Sequence, residues 1–260
     1  MKNIFASVII VVFFCSCEFE KEIDYRTVYD GDKLIVQGFI SPQDGVRVIV
    51  KKTLPPNQID GDDKVTNVKA SIYEDDSKIA ELKRIDDFLF VSDFLPVQGK
   101  KYSIRVQADG MKEVRSAAQL LMPATPVDSF KLVPARNSIV VFFTNNHRAN
   151  NGYYLKIRVN EDSESDSYEF FSPFGTLSNI VQGFNAVENR IYSSKYDWIQ
   201  VELFVLSADL TIFLESQKKY DASKDDPFFD RPYPVYSNIA GGYGIFGAYS
   251  VYRETIQPSH

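Results

Sequence analysis

Cysteine and histidine are nearly missing from this chain of 260 residues, with two of each. Cys15 and Cys17 sit close together near the start, while His147 and His260 stand far apart. Beyond Cys17 there is therefore no thiol nucleophile, intramolecular disulfide, thiolate metal cluster or covalent haem attachment. A zinc site usually recruits two or three His or Cys ligands, and a Ser–His–acid triad needs a held histidine. His147 lies in TNNHRANNG, which reads as a solvated loop tip. Positive charge is also scarce: 29 Lys and Arg face 35 Asp and Glu, for a net charge of −6. That balance argues against nucleic acid, which selects basic patches. It argues equally against docking on anionic lipid through basic side chains. Long apolar runs are missing too: Ile4 to Phe14 is too short to span a bilayer as a helix. No GxSxG elbow, HExxH or P-loop occurs.

What is present starts at the N-terminus. MKNIFASVIIVVFFCSC joins a single positive residue, Lys2, to a short apolar core and then to Ser16 and Cys17. This is the layout of a secretory signal over residues 1–16. A cysteine at the cut site predicts lipoprotein maturation, with acylation of the Cys17 thiol. Removing the signal takes Lys2 with it and leaves a net charge of −7. Residues 17–32 are polar and acidic and read as a tether.

From Leu34 the pattern alternates with period two. LIVQGFIS, VRVIVKK, NVKASIYED, SKIAELKRI, FLFVSD, KYSIRVQA and MKEVRSAA read as short strands. SPQDG supplies one turn, and Asp109-Gly110 a tight hairpin. The spacing predicts an immunoglobulin-like antiparallel β-sandwich over 33–122. Pro123 and Pro126 break the pattern and mark a domain boundary. A second β-rich domain is expected over 127–258, built from DSFKLVP, NSIVVFFTNN, GYYLKIRVN, YEFFSPFG and WIQVELFVLS. One amphipathic helix is expected near 208–220. Ser207 is its cap, Asp209 lies in its first turn, Leu210, Phe213, Leu214 and Gln217 form its stripe, and Lys218 and Lys219 close it. The fold class is thus mainly β with one helix. The 20 Phe and 15 Tyr suit pleated, half-buried surfaces.

Four patterns invite a functional reading. Gly242-Tyr243-Gly244-Ile245-Phe246-Gly247 spells GxGxxG. A dinucleotide fold needs that motif after its first strand and before a helix, with an acid further on. Here aromatic and β-branched residues follow and the chain soon ends, so the glycines read as points of close chain approach. Glu161, Asp162, Glu164 and Asp166 form an acidic loop, but Ser167 and Pro173 stand where an EF-hand needs Gly and Glu. The groups Asp60, Asp62, Asp63 and Asp225, Asp226, Asp230 read as solvated turns, and no metal or cofactor site is assigned. Trp198 reads as a core residue of its strand. Phe228, Phe229 and Tyr233 sit in a loop rich in Pro and Asp, with no periodic reason to be buried. They are the candidate contact surface for a partner.

Three stretches carry a family resemblance: SCEFEKEID, KLIVQGFIS and PVYSNIAGGYGIFGAYS. In them the chain resembles the Bacteroidetes lipoproteins catalogued as domain of unknown function 4249, over essentially its whole length after the signal. Ser237-Asn238-Ile239, Gly241-Gly242 and Gly244-Ile245-Phe246-Gly247 are similar to that family's C-terminal signature. The resemblance implies an outer-membrane lipoprotein of β-rich fold, anchored in lipid through acylated Cys17 and facing the cell surface. It implies a possible TonB-dependent transporter as partner, with a ligand it does not name. It brings no catalytic residues. The expected function is therefore a non-enzymatic accessory or substrate-binding partner of nutrient uptake. The alternatives are a surface hydrolase of glycans or peptides using paired carboxylates, and a structural module of the envelope.

Overall fold

A computed structural model describes residues 29, 31–55, 58, 61–133, 138–144, 152–161, 164–172, 184–186, 198–225 and 232–257. Cys17, the signal and most of the tether lie outside the described residues. So do Phe228, Phe229, His147, His260, Asp60, Asp162, Pro173, Asp226 and Asp230. Gly31–His260 form one compact unit.

Every strand expected in the first half is present. They are β1 (Leu34–Ser41), β2 (Gly45–Lys52), β3 (Lys69–Glu74), β4 (Ser77–Glu81), β5 (Lys83–Arg84), β6 (Leu89–Ser92), β7 (Lys101–Gln107) and β8 (Val114–Ser116). A short β9 (Gln119–Leu120) adds to them. Period-two burial explains the match: Leu34, Val36 and Ile40 on β1 and Val46, Val48 and Val50 on β2 are buried, with the more exposed Ile35, Gln37 and Phe39 and Arg47, Ile49 and Lys51 alternating between them. Gly110, at φ +70°, makes the turn between β7 and β8.

The second half contributes β10 (Ser129–Val133), β11 (Ser138–Phe142), β12 (Gly152–Glu161), β13 (Glu164–Ser172), β14 (Phe184–Ala186) and β15 (Ile199–Leu206). A single described helix, α1 (Ala208–Ser223), precedes β16 (Ile239–Ala240) and β17 (Tyr243–Ile256). The acidic loop is a difference from expectation. Glu161 and Glu164 pair across the tight end of the β12–β13 hairpin, and Asp166 lies within β13. β13 is the end strand of its sheet.

The described strands form three sheets. The largest has eight strands in the order β13-β12-β15-β17-β1-β2-β6-β5. The others are β16-β8-β7-β3-β4, with β9 on β7, and β10-β11-β14. β17 joins the two halves. Tyr243–Ala248 pairs in parallel with β1, and Tyr249–Ile256 pairs antiparallel with β15. The large sheet therefore crosses the boundary expected at 123–126, and one strand serves both sides of it. The parallel β1–β17 pair also departs from a purely antiparallel sandwich, because the chain returns from α1 to lie beside its first strand.

The two faces of β17 hold different cores. Phe246 and Ala248 join Val36, Ile40 and Val48 against Ile72, Tyr102, Ile104 and Val106 of the facing sheet. Ile245, on the other face, joins Leu206, Leu210 and Phe213 beneath α1. A third core unites Leu155, Ile157, Ile199, Val201 and Leu203 with Val141 and Phe143. Each fully buried side chain of this size stabilises the fold by about 1.5–3 kcal/mol before entropy is counted.

Candidate functional site

The C-terminal signature is built into the β1–β17–α1 junction. Asn238 is the centre of it. Its Nδ2 donates to the Phe246 carbonyl at 2.9 Å, and its Oδ1 accepts the Phe246 amide at 2.9 Å. The same Nδ2 reaches Asp209 at 3.0 Å. Asp209 also accepts from Gln119 Nε2 at 2.7 Å and from Tyr236 Oη at 3.1 Å. Burial, with the Asp209 carboxylate beside it, raises the Tyr236 phenol above its ordinary value and keeps it a donor. Ser207 precedes α1, but its hydroxyl does not cap the helix. It donates to Gln119 Oε1 at 2.9 Å and accepts the Ala248 amide at 3.1 Å.

The glycines of GxGxxG serve close approach and hold no phosphate loop. Gly244 lies at φ +111°, and a Cβ there would strike the Val36 carbonyl. A Cβ on Gly247 would stand 2.9 Å from Leu210 Cβ, so glycine lets α1 settle on the sheet.

Residues 232–238 run as a strap along α1. The Tyr233 amide donates to Ser223 Oγ, and the Tyr236 amide to Ser216 Oγ, each at 2.8 Å. Each serine in turn donates to a helix carbonyl three residues back, Tyr220 and Phe213 respectively. Asp209, Ser216 and Ser223 are spaced by seven, which puts them on one helix stripe. Tyr233 is exposed at the end of the strap, with Lys219 Nζ 5.2 Å from its ring centroid. It is the one described member of the expected Phe228–Phe229–Tyr233 surface. Trp198 is half-buried and lies one residue before β15 rather than within it.

The feature best suited to holding a ligand is a groove of about 410 Å³ on the outer face of β1, β2 and β6. Phe39, Ile49, Phe88, Leu89 and Tyr249 give it an apolar floor, and Gln37, Asp44, Arg47, Lys51 and Asp86 supply its polar groups. Strand register sets the layout. Arg47 lies between Phe39 and Val91, and Ile49 between Gln37 and Leu89.

The groove wall is stiffened by bonds among its own groups. Asp86 Oδ1 accepts the Phe88 and Leu89 amides, both at 2.8 Å. These bonds hold its carboxyl below the usual range. Lys51 Nζ sits 4.5 Å from the Phe88 ring centroid and 2.9 Å from Asp63. Tyr249 Oη donates to Asp44 at 2.9 Å, and Arg253 bonds both Asp44 oxygens at 3.2 Å. Burial first, then the Asp44 carboxylate, raises the Tyr249 phenol well above its ordinary value. Arg253 is itself anchored at 2.7 Å on Glu202, which is buried and also meets Arg158 at 3.2 Å. A second, smaller groove on β3, β4 and β7 is polar and mixes Lys69, Lys78 and Arg105 with Glu81 and Glu113.

Among the described residues no group of three or more His, Cys, Asp or Glu is placed to hold a metal ion. Asp62 and Asp63 are occupied by the Lys64 amide and Lys51. Sequence reasoning missed the groove, because Gln37, Phe39, Arg47, Ile49 and Lys51 are outward positions of strands recognised for their inward ones, and Asp44, Asp86 and Phe88 join them from turns. It also missed the stripe on α1, although the spacing Asp209–Ser216–Ser223 was visible.

These features define a β-sandwich protein whose large sheet is part covered by one helix and part open as a groove. The chain belongs to the family described as Domain of unknown function (DUF4249), whose model matches residues 18–255. No curated protein matches it.

Proposed function

We propose that the protein is an outer-membrane lipoprotein, anchored through acylated Cys17, that serves a TonB-dependent nutrient uptake system as a non-enzymatic accessory or substrate-binding partner. The observation that carries the binding role is the open groove. Its aromatic floor is held by rigid strands, and its carboxylates are engaged with neighbours. Asp44 faces Arg253, and Asp86 is held below the usual range, the opposite of what a general acid needs. The membrane role rests on the sequence of residues 1–17. Several acyl chains, at about 0.8 kcal/mol per buried methylene, make such an anchor stable. A tethered body then meets a membrane partner at high effective concentration.

The test is a mild-detergent pull-down of the tagged, full-length protein from its native outer membrane, with mass spectrometry of what accompanies it. Near-stoichiometric recovery of a TonB-dependent transporter is the expected result. Labelling with an alkynyl palmitate should mark the wild type and not Cys17→Ala. Absence of any transporter, under conditions that preserve known envelope complexes, would refute the uptake role.

A further inference from the structure

The charges around the groove are not equally engaged. Lys51 is paired with Asp63. Asp44 is held by Arg253 and Tyr249. Asp86 is consumed by two amides of its own turn. Arg47 alone, in the middle strand of the groove, meets no acid among the described residues. It is exposed and stands between Phe39 and Val91 in register, with Ile49 next along the strand on the same face. The groove thus offers one uncompensated guanidinium above an aromatic and aliphatic floor.

From this we infer that the groove binds an amphipathic carboxylate: an apolar ring or chain laid on Phe39, Ile49 and Phe88, with a single carboxylate paired to Arg47. The inference rests on the reading of this groove as the binding site. The guanidinium of Arg47, with no acid on it among the described residues, favours a negatively charged group at its own position. The planar fork of arginine selects a carboxylate, which it can engage through two parallel hydrogen bonds. Neither half of such a ligand suffices alone. An exposed ion pair in water contributes little. An apolar body that covers Arg47 removes water from the pair and strengthens it. Affinity should therefore depend on body and charge together.

The experiment uses the full-length lipidated protein in phosphatidylcholine nanodiscs and three fluorinated probes followed by fluorine NMR. 3-(4-Fluorophenyl)propionate carries both body and charge, its primary amide carries the body alone, and fluoroacetate the charge alone. Empty nanodiscs correct for partition into lipid. The propionate should bind saturably and at least about tenfold more tightly than either of the others, the span of a charge-assisted hydrogen bond. Arg47→Gln should remove that advantage, and Arg47→Lys should keep part of it. Ile49→Asp, at an exposed strand position, should abolish propionate binding by placing an acid beside Arg47. Lys69→Gln, on the second groove, should change nothing. Equal binding of propionate and amide, an advantage that survives Arg47→Gln, or no saturable binding of the propionate would each overturn the inference. Pull-down of the transporter by Arg47→Gln separates the two claims. Loss of the probe preference with the transporter still recovered supports the groove assignment within the accessory role. No probe binding by the wild type with the transporter still recovered overturns the ligand class alone.

Discussion

Replacing Asn238 by alanine tests whether the C-terminal signature is architectural. Asn238 satisfies both the amide and the carbonyl of Phe246, a residue with no exposed surface, and is itself only 9 % exposed. Alanine leaves two buried backbone groups without partners and takes one donor from Asp209. Each unsatisfied buried group costs about 1–3 kcal/mol, so the loss should be about 2–6 kcal/mol. That is a large part of the 5–15 kcal/mol typical of a whole domain. Urea unfolding followed by fluorescence of Trp198, the only tryptophan, should show the midpoint falling by about 1 M or more. Asn238→Asp adds a sharper test. It keeps the acceptor for the Phe246 amide but sets a second carboxylate against Asp209, where like charges cannot both ionise cheaply. Its defect should be severe at neutral pH and ease on mild acidification, when one carboxylate takes up a proton and becomes a donor. Asn238→Ala within about 1 kcal/mol of wild type, or an Asn238→Asp defect indifferent to pH, would refute the reasoning.

The other predictions can be checked on the same protein. Gly244→Ala should cost about 2–5 kcal/mol, from the positive φ and the collision with the Val36 carbonyl, whereas Gly110→Ala, at φ +70° with open space around it, should cost only about 1–2 kcal/mol in urea unfolding. Ser216→Ala should strip the Tyr236 amide of its acceptor and expose the strap to limited proteolysis within 232–238, with the rest of the unit still folded. The lowered Asp86 carboxyl gives a pH signature. Its stabilising bonds are fully present above the ordinary value of 3.8 and are lost as pH falls below it through the lowered folded value. Protection of the Phe88 and Leu89 amides against hydrogen exchange should therefore be flat from neutral pH and drop in that acidic window, and Asp86→Ala should remove it throughout. Changing Phe228, Phe229 and Tyr233 together to Ser should weaken recovery of the transporter without altering urea unfolding.

The strands of the first half were legible because period-two burial is a local signal. Val46, Val48 and Val50 alternate with Arg47, Ile49 and Lys51, whichever sheet they join. The helix was legible from Leu210 and Phe213, though it runs to Ser223, past Lys218 and Lys219. What the sequence hid were long-range pairings. Nothing near Tyr243 announces that its strand will lie parallel to β1, about two hundred residues earlier, and then change partner to β15. Ser207 shows the same limit. Its type and position fit a helix cap, but tertiary partners, Gln119 and the Ala248 amide, claim its hydroxyl instead. The groove escaped notice for a related reason: outward residues carry no periodic signal of their own, and only register shows that Arg47, Phe39 and Ile49 share a surface.

This division bears on what family membership can say. The C-terminal stretch that carries a family resemblance, Asn238 with Gly242, Gly244 and Gly247, closes the junction between sheet and helix. Gly244 and Gly242 admit the carbonyls of Val36 and Leu34, and Gly247 admits Leu210. A protein that keeps those residues keeps the junction, whatever it binds. The groove draws on other positions. Arg47, Ile49 and Phe88 project away from the sandwich core, so exchanging them leaves the residues that close the fold in place, whereas Phe39 also packs against the Leu206–Leu210–Phe213 cluster beneath α1. Fold and ligand are therefore written in separable residues, and the first can be shared while the second is altered. The ligand proposed above is therefore to be sought at Arg47 and its neighbours, and not in that glycine-rich stretch.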